Sequence, residues 1–223
     1  MVALNKISTE QARLYVIIDK SLNQIKKQTM AALNKLVFDL ETQKSFDDVG
    51  GRDKNHLLKV SVVGVYSYLQ DKYYCFEEDQ VYRLGEMFQE ADQIIGFNIK
   101  NFDFNVLKPY FNFDVHALPY LDILEEVEKV IGHRIRLDNL AQMTLGHGKN
   151  GDGLEALKLF KQGRMDELKK YCTNDVKVTK EIYDYAMKYG KLLYKDYFET
   201  KEMKIGFAEP SPRVPAVIQA SLF

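Results

Sequence analysis

Phe38-Asp39-Leu40-Glu41-Thr42 ends a strongly apolar run that opens at Lys35, and the reading of this stretch decides the fold. In a strand, Val37, Asp39 and Glu41 share one face while Phe38 and Leu40 share the other. Two carboxylates therefore project together at a strand's end, able to share one hard cation. A polar strand terminus running into a loop is the alternative, because Asp-x-Glu alone is a common tripeptide.

Working outward, Leu57–Leu69 reads as a long β-rich strand, and Tyr73–Phe76 as a third strand after a turn at Gln70-Asp71-Lys72. Asp79 is placed to cap a helix running to Glu90, with Val81, Leu84, Met87 and Phe88 on its inner face. Gln93–Phe97 reads as a short buried strand, followed by a helix near Phe102–Leu107 that Pro109 terminates. Leu118–Ile123 reads as a fifth strand. Helices are then predicted at Leu124–Ile131, Leu137–Leu145, Leu154–Phe160 and Met165–Tyr189. Strands first in succession, then alternating with helices, predict an α/β fold with a mixed central sheet flanked by helices.

Two appendages flank this core of residues 35–190. Ser8-Thr9-Glu10-Gln11 has the form of a capping box, and Leu14, Ile17, Ile18, Leu22 and Ile25 recur at helical spacing. Residues 1–34 are therefore expected to form an amphipathic helical extension, docked on the core or on a partner. Residues 191–223 are expected to hold a hairpin, Leu192–Phe198 with Met203–Phe207, and a Pro-containing tail.

Two further carboxylates stand out. Asp103 follows Gly96-Phe97-Asn98-Ile99-Lys100-Asn101-Phe102 at a predicted helix start, where the helix dipole alone would favour an acid. Asp175 is more telling. The apolar stripe of its helix runs through Leu168, Tyr171 or Cys172, position 175, Val178 and Ile182, so this position should be apolar. Burying an unpaired carboxylate costs several kcal/mol, roughly, so Asp175 needs a cation or strong donors; an Arg or Lys partner is the alternative. Tyr171 lies one turn earlier on the same face.

Together these three stretches, in this order, resemble the signature motifs of the DEDD (DnaQ-like) superfamily of 3′–5′ exonucleases, in the subclass with a tyrosine in the third motif. The second is similar to that of proofreading domains in family B DNA polymerases. From Leu137-Asp138-Asn139-Leu140-Ala141 through Gly151-Asp152-Gly153-Leu154-Glu155-Ala156 to Tyr171–Val176, the chain also resembles the YprB-type ribonuclease H-like domain. The resemblance covers about Lys35 to Tyr189, and implies a ribonuclease H-like fold and phosphodiester hydrolysis with two Mg²⁺ or Mn²⁺ ions. It implies that Asp39 bridges both ions, that Glu41 and Asp175 hold the ion carrying the attacking water, and that Asp103 supports the other. Tyr171 would orient the water, and Thr42, Asn98 and Phe102 would contact substrate. The implied substrate is DNA or RNA with a single-stranded 3′ end, with a helicase or polymerase as a possible partner. A non-catalytic nucleic-acid-binding or scaffolding domain is the rival, but degenerate members should have lost a carboxylate, and all four stand here. Hydrolysis of a small phosphoester is a third possibility, needing a closed pocket where an exonuclease needs an open groove.

Composition narrows the remaining classes. At 223 residues and 46% hydrophobic content the chain can bury a substantial core. A net charge of −1 offers no global basic field for nucleic acid, although an acidic site offsets basic residues elsewhere. Cys75 and Cys172 each fall inside a regular element, so no disulfide framework is expected. No apolar run reaches the roughly 18 residues of a membrane span, and a cytoplasmic protein is expected. The loop Gly146-His147-Gly148-Lys149-Asn150-Gly151-Asp152-Gly153 fails the phosphate-loop pattern because Asn follows the lysine. It reads as a connection in which Asp152 and Glu155 cap the next helix, with Lys149 able to touch a nucleic-acid backbone. His133-Arg134-Ile135-Arg136 is a small basic cluster, read as solvated or as a phosphate contact, and Asp122 and Asp138 read as helix-start residues.

Overall fold

A computed structural model describes residues 33–148 and 153–212. Along the chain these form β1 (Lys35–Thr42), the one-turn helix α1 (Phe46–Val49), β2 (Val60–Ser67), β3 (Lys72–Glu77) and α2 (Val81–Glu90). Next come β4 (Gln93–Gly96), α3 (Asp103–Leu107), β5 (Tyr120–Asp122), α4 (Ile123–Ile131), α5 (Leu137–Leu145) and α6 (Gly153–Lys161). The long α7 (Met165–Tyr189) precedes a hairpin of β6 (Lys191–Asp196) and β7 (Glu199–Lys204). The N-terminal helical extension, Lys149, Asp152 and the end of the C-terminal tail lie outside the described residues. Among the described residues no helix is long and apolar enough to cross a membrane.

The first five strands form one sheet in the order β3-β2-β1-β4-β5. β2 runs antiparallel to β1 and β3, whereas β4 runs parallel to β1 and β5. This is the mixed sheet the sequence predicts, with β1 at its centre and packed on both faces. Leu36, Phe38 and Leu40 pack with Leu84, Phe88, Phe104 and Leu107 of α2 and α3. Phe38 meets Phe88 edge-on at 4.9 Å between ring centroids and stacks on Phe104 at 6.0 Å. Val37 faces the other way, into a cluster with Val176, Val178 and Ile182 of α7. Each such side chain buried contributes about 1.5–3 kcal/mol, so a slip of one residue, which exchanges the two faces, is strongly disfavoured. Period-two alternation then puts Asp39 and Glu41 on the α7 face.

What lets α7 lie so close is Gly64. It pairs with Asp39 across β1 and β2, and a β-carbon there would come within 2.8 Å of Val176 Cγ2 and 3.2 Å of Cys172 Sγ. The Gly64 amide instead donates to Cys172 Sγ at 3.1 Å, and the thiol donates to the Asp39 carbonyl at 3.4 Å. The helix is thus seated on the backbone of the residue that carries the first carboxylate.

Several boundaries differ from expectation. The second strand starts at Val60, not Leu57, because Asn55–Leu57 form a 3-10 turn and Lys59 takes a positive φ of 58°. Asp79 does not cap α2: it lies within a 3-10 turn, Glu78–Gln80, that runs into the helix. Pro109 does not stop the chain's helical path at once, since Lys108–Tyr110 continue as a 3-10 turn. In the hairpin, Asp196 pairs with Glu199, so the turn is Tyr197-Phe198 and the second strand begins earlier than Met203. α1, a single turn, is too short for hydrophobic periodicity to reveal, although Ser45 and Asp48 form a full capping box around it.

Candidate active site

Asp175 is 2% exposed and stands on the face of α7 that buries Leu168, Tyr171, Cys172, Val178, Ile182 and Ala186. Asp39 and Glu41, at the end of β1, are half-buried. One carboxylate oxygen from each of these three residues lies within 4.8 Å of the others. Asp39 and Asp175 line an open cleft of about 810 Å³, whose other wall includes Phe97, Asn98, Arg134, Arg136 and Asp138. Glu41 lines a neighbouring hollow of about 320 Å³ with Thr42, Phe46, Phe102 and Leu154.

Three carboxylates this close repel one another unless protons or a cation neutralise them. Their oxygens form a hard donor set of the kind that suits Mg²⁺ or Mn²⁺. Cys172, although adjacent, is no rival ligand. Burial, and secondarily the charges of Asp39 and Glu41, push its thiol well above the usual range and keep it protonated. The residues present therefore fit a divalent hard cation.

Asp103 lies outside this 4.8 Å group. It opens α3 and is 3% exposed. Burial pushes its carboxyl up to about 7, the Asp122 charge adds to the rise, and its own and Leu40's backbone amides oppose it. Tyr171 is also buried, its ring packed with Val62, Ala156, Leu159 and Leu168. Thr42 donates to the Lys44 carbonyl at 2.9 Å, and Phe102 meets Phe46 edge-on at 5.9 Å. Asn98 takes a positive φ of 67°. Its side-chain oxygen accepts from Arg134 Nη2 at 2.5 Å, while Arg134 Nη1 lies 3.3 Å from Glu128 Oε2.

Asn98 keeps that conformation because of Asp122. The Asp122 carboxylate accepts from the amides of Asn98 at 2.7 Å and Lys100 at 3.0 Å. It also caps α4 through the amides of Leu124 at 3.0 Å and Glu125 at 3.4 Å. Burial raises the Asp122 carboxyl against the pull of these four amides.

A family profile described as the RNase H superfamily matches residues 36–187. The chain belongs to the RNase H superfamily. The match runs from β1 to the last turns of α7, so it takes in all three carboxylates of the group and the whole five-stranded sheet of this RNase H-like α/β fold. No curated protein matches the sequence. Among solved structures, the family B DNA polymerase from the hyperthermophilic archaeon Pyrobaculum calidifontis is similar with a TM-score of 0.51 and 16% identity. The likeness covers 69% of this chain and 24% of the polymerase, and at that identity it is one of fold.

Asp122, Arg134 and Arg136 are the site-forming residues of this RNase H superfamily chain whose part sequence reasoning underrated. Asp122 was legible as a helix start, but not as the anchor of a turn 24 positions earlier. Removing it tests that second role. Asp122→Ala is expected to cost about 2–4 kcal/mol in urea unfolding, combining a lost cap with buried amides left unpaired. Asp122→Asn should recover much of this. A loss below about 1 kcal/mol would mean that the Asn98 turn holds itself.

Proposed function

We propose that this chain is a metal-dependent 3′–5′ exonuclease acting on DNA or RNA. The observation that carries the reading is the group Asp39, Glu41 and Asp175, with ligand atoms within 4.8 Å of one another on the wall of an open cleft. An open cleft suits a polymer better than a small phosphoester, and superfamily membership supports a nuclease role. When bound, two Mg²⁺ or Mn²⁺ ions would lower the pKa of the attacking water and neutralise charge on the leaving oxygen.

In this reading Asp39 would hold both ions, and Glu41 and Asp175, whose ligand atoms lie within 4.8 Å of it, would complete one ion's ligands. Asp103 would support the second ion, whose charge would offset the cost of ionising a carboxyl that burial raises to about 7. The Tyr171 hydroxyl, one turn before Asp175, orients the water. Thr42 and Phe102, beside Glu41, hold the terminal nucleotide in the smaller hollow. Asn98, fixed by Asp122 and Arg134, holds the opposite rim.

The test uses end-labelled single-stranded DNA and RNA with Mg²⁺ or Mn²⁺, resolved by product length. Products should shorten stepwise from the 3′ end, and EDTA should stop the reaction. A 3′ block should protect the strand, whereas a 5′ block should make no difference. Cleavage of a closed circular strand at a comparable rate would make the protein an endonuclease, and full turnover in excess EDTA would refute the metal mechanism.

A further inference from the structure

At the tip of the β6–β7 hairpin, Tyr197 and Phe198 are 88% and 95% exposed. Tyr197 has a φ of +52° at the first central position of a two-residue turn, where glycine is the usual occupant. Scattered exposed apolar residues are ordinary. Here two adjacent aromatics occupy a strained turn and gain almost nothing from packing, which leaves both rings open to something outside the chain.

The hairpin's attachment says what that is. Lys195, two residues before Tyr197, donates its amide to Asn139 Oδ1 at 2.7 Å, and Asn139 Nδ2 donates to the Lys195 carbonyl at 2.9 Å. The Tyr194 ring lies 6.3 Å from that of His133. Asn139 is in the first turn of α5, and that turn and the loop before it supply Arg134, Arg136 and Asp138 to the cleft wall. The hairpin is therefore moored beside the arginine side of the cleft. Cationic groups for phosphates followed by aromatic rings for bases is how proteins hold single strands without reading their sequence.

We propose that Tyr197 and Phe198 are a base-stacking contact for the nucleic-acid strand that leaves the cleft past Arg134 and Arg136. This rests on the reading of the cleft as a phosphodiester site. Neither ring lines the cleft that holds Asp39 and Asp175, so the contact adds affinity for longer strands and leaves the reacting bond untouched.

The test combines Phe198→Ala with Tyr197→Asn, asparagine being tolerant of the left-handed turn. Binding of a fluorescent single strand of about 12 nucleotides, and of a dinucleotide, is followed by anisotropy in EDTA and in Ca²⁺. The Kd for the longer strand should rise about 10- to 100-fold, as expected for lost base–aromatic stacking, with the dinucleotide unaffected. Arg136→Gln should flatten the salt dependence of long-strand binding. An unchanged Kd in the double variant overturns the proposal, and if wild-type protein sediments as a dimer that the double variant does not form, the tip is assigned to a second copy. Wild-type protein that binds the long strand but does not cut it when Mg²⁺ or Mn²⁺ is supplied would sink the exonuclease reading and leave this contact standing. Wild-type protein that binds no strand would sink both.

Discussion

Asp39→Ala is expected to abolish hydrolysis while leaving the fold intact. Asp39 brings a carboxylate oxygen within 4.8 Å of those of both Glu41 on its own strand and Asp175 on α7, and in the proposed mechanism its side chain would serve both ions. Stabilisation of transition-state charge by bound metal is worth several kcal/mol, and at 1.36 kcal/mol per tenfold its loss lowers turnover by about 10³-fold or more. Stability should move the other way in metal-free buffer. Asp39 is only half-buried, so alanine leaves no core cavity, and one of three mutually repelling charges is removed. The measurement pairs exonuclease turnover with a thermal melt in EDTA. A variant that loses activity together with its cooperative transition would make Asp39 a structural residue.

Tyr171→Phe should lower kcat by about 10²–10³-fold, by comparison with deleting one catalytic hydrogen bond. The ring sits among Val62, Ala156, Leu159 and Leu168, and phenylalanine preserves all of that packing. Only the hydroxyl is lost. Metal affinity should change little, whereas Asp175→Asn should weaken it directly by removing a ligand's charge. Comparing the two variants by metal titration and single-turnover kinetics separates orientation of the water from retention of the ion. Wild-type turnover in Tyr171→Phe would reduce Tyr171 to a packing residue and remove the main reason for the tyrosine-type assignment.

Much of this architecture was legible because strong periodicity leaves few alternatives. α7 runs from Met165 to Tyr189 as predicted, since it has a continuous apolar stripe and Gly190 ends it in the left-handed region. Asp175 stood out as the one charge in that stripe. Where signals were local but competed, boundaries slipped. Leu57 and Leu58 look like strand residues, yet Lys59 turns the chain before β2 begins. The arginines show a different limit. Nothing in His133–Arg136 indicates that Arg134 meets Asn98, because the turn that presents Asn98 depends on a carboxylate from β5. Pairings between distant loops follow from topology, which no short window contains.

The seat of α7 on β2 also governs chemical access. Alkylating reagents attack thiolates, and Cys172 is a protonated, fully buried thiol held between Gly64 and Asp39. Reagent reaches it only in excursions that lift the helix from the strand. Those same excursions pull Asp175 away from Asp39, since only two residues of one helix separate Cys172 from Asp175. A label on Cys172 therefore counts the molecules whose carboxylates have come apart.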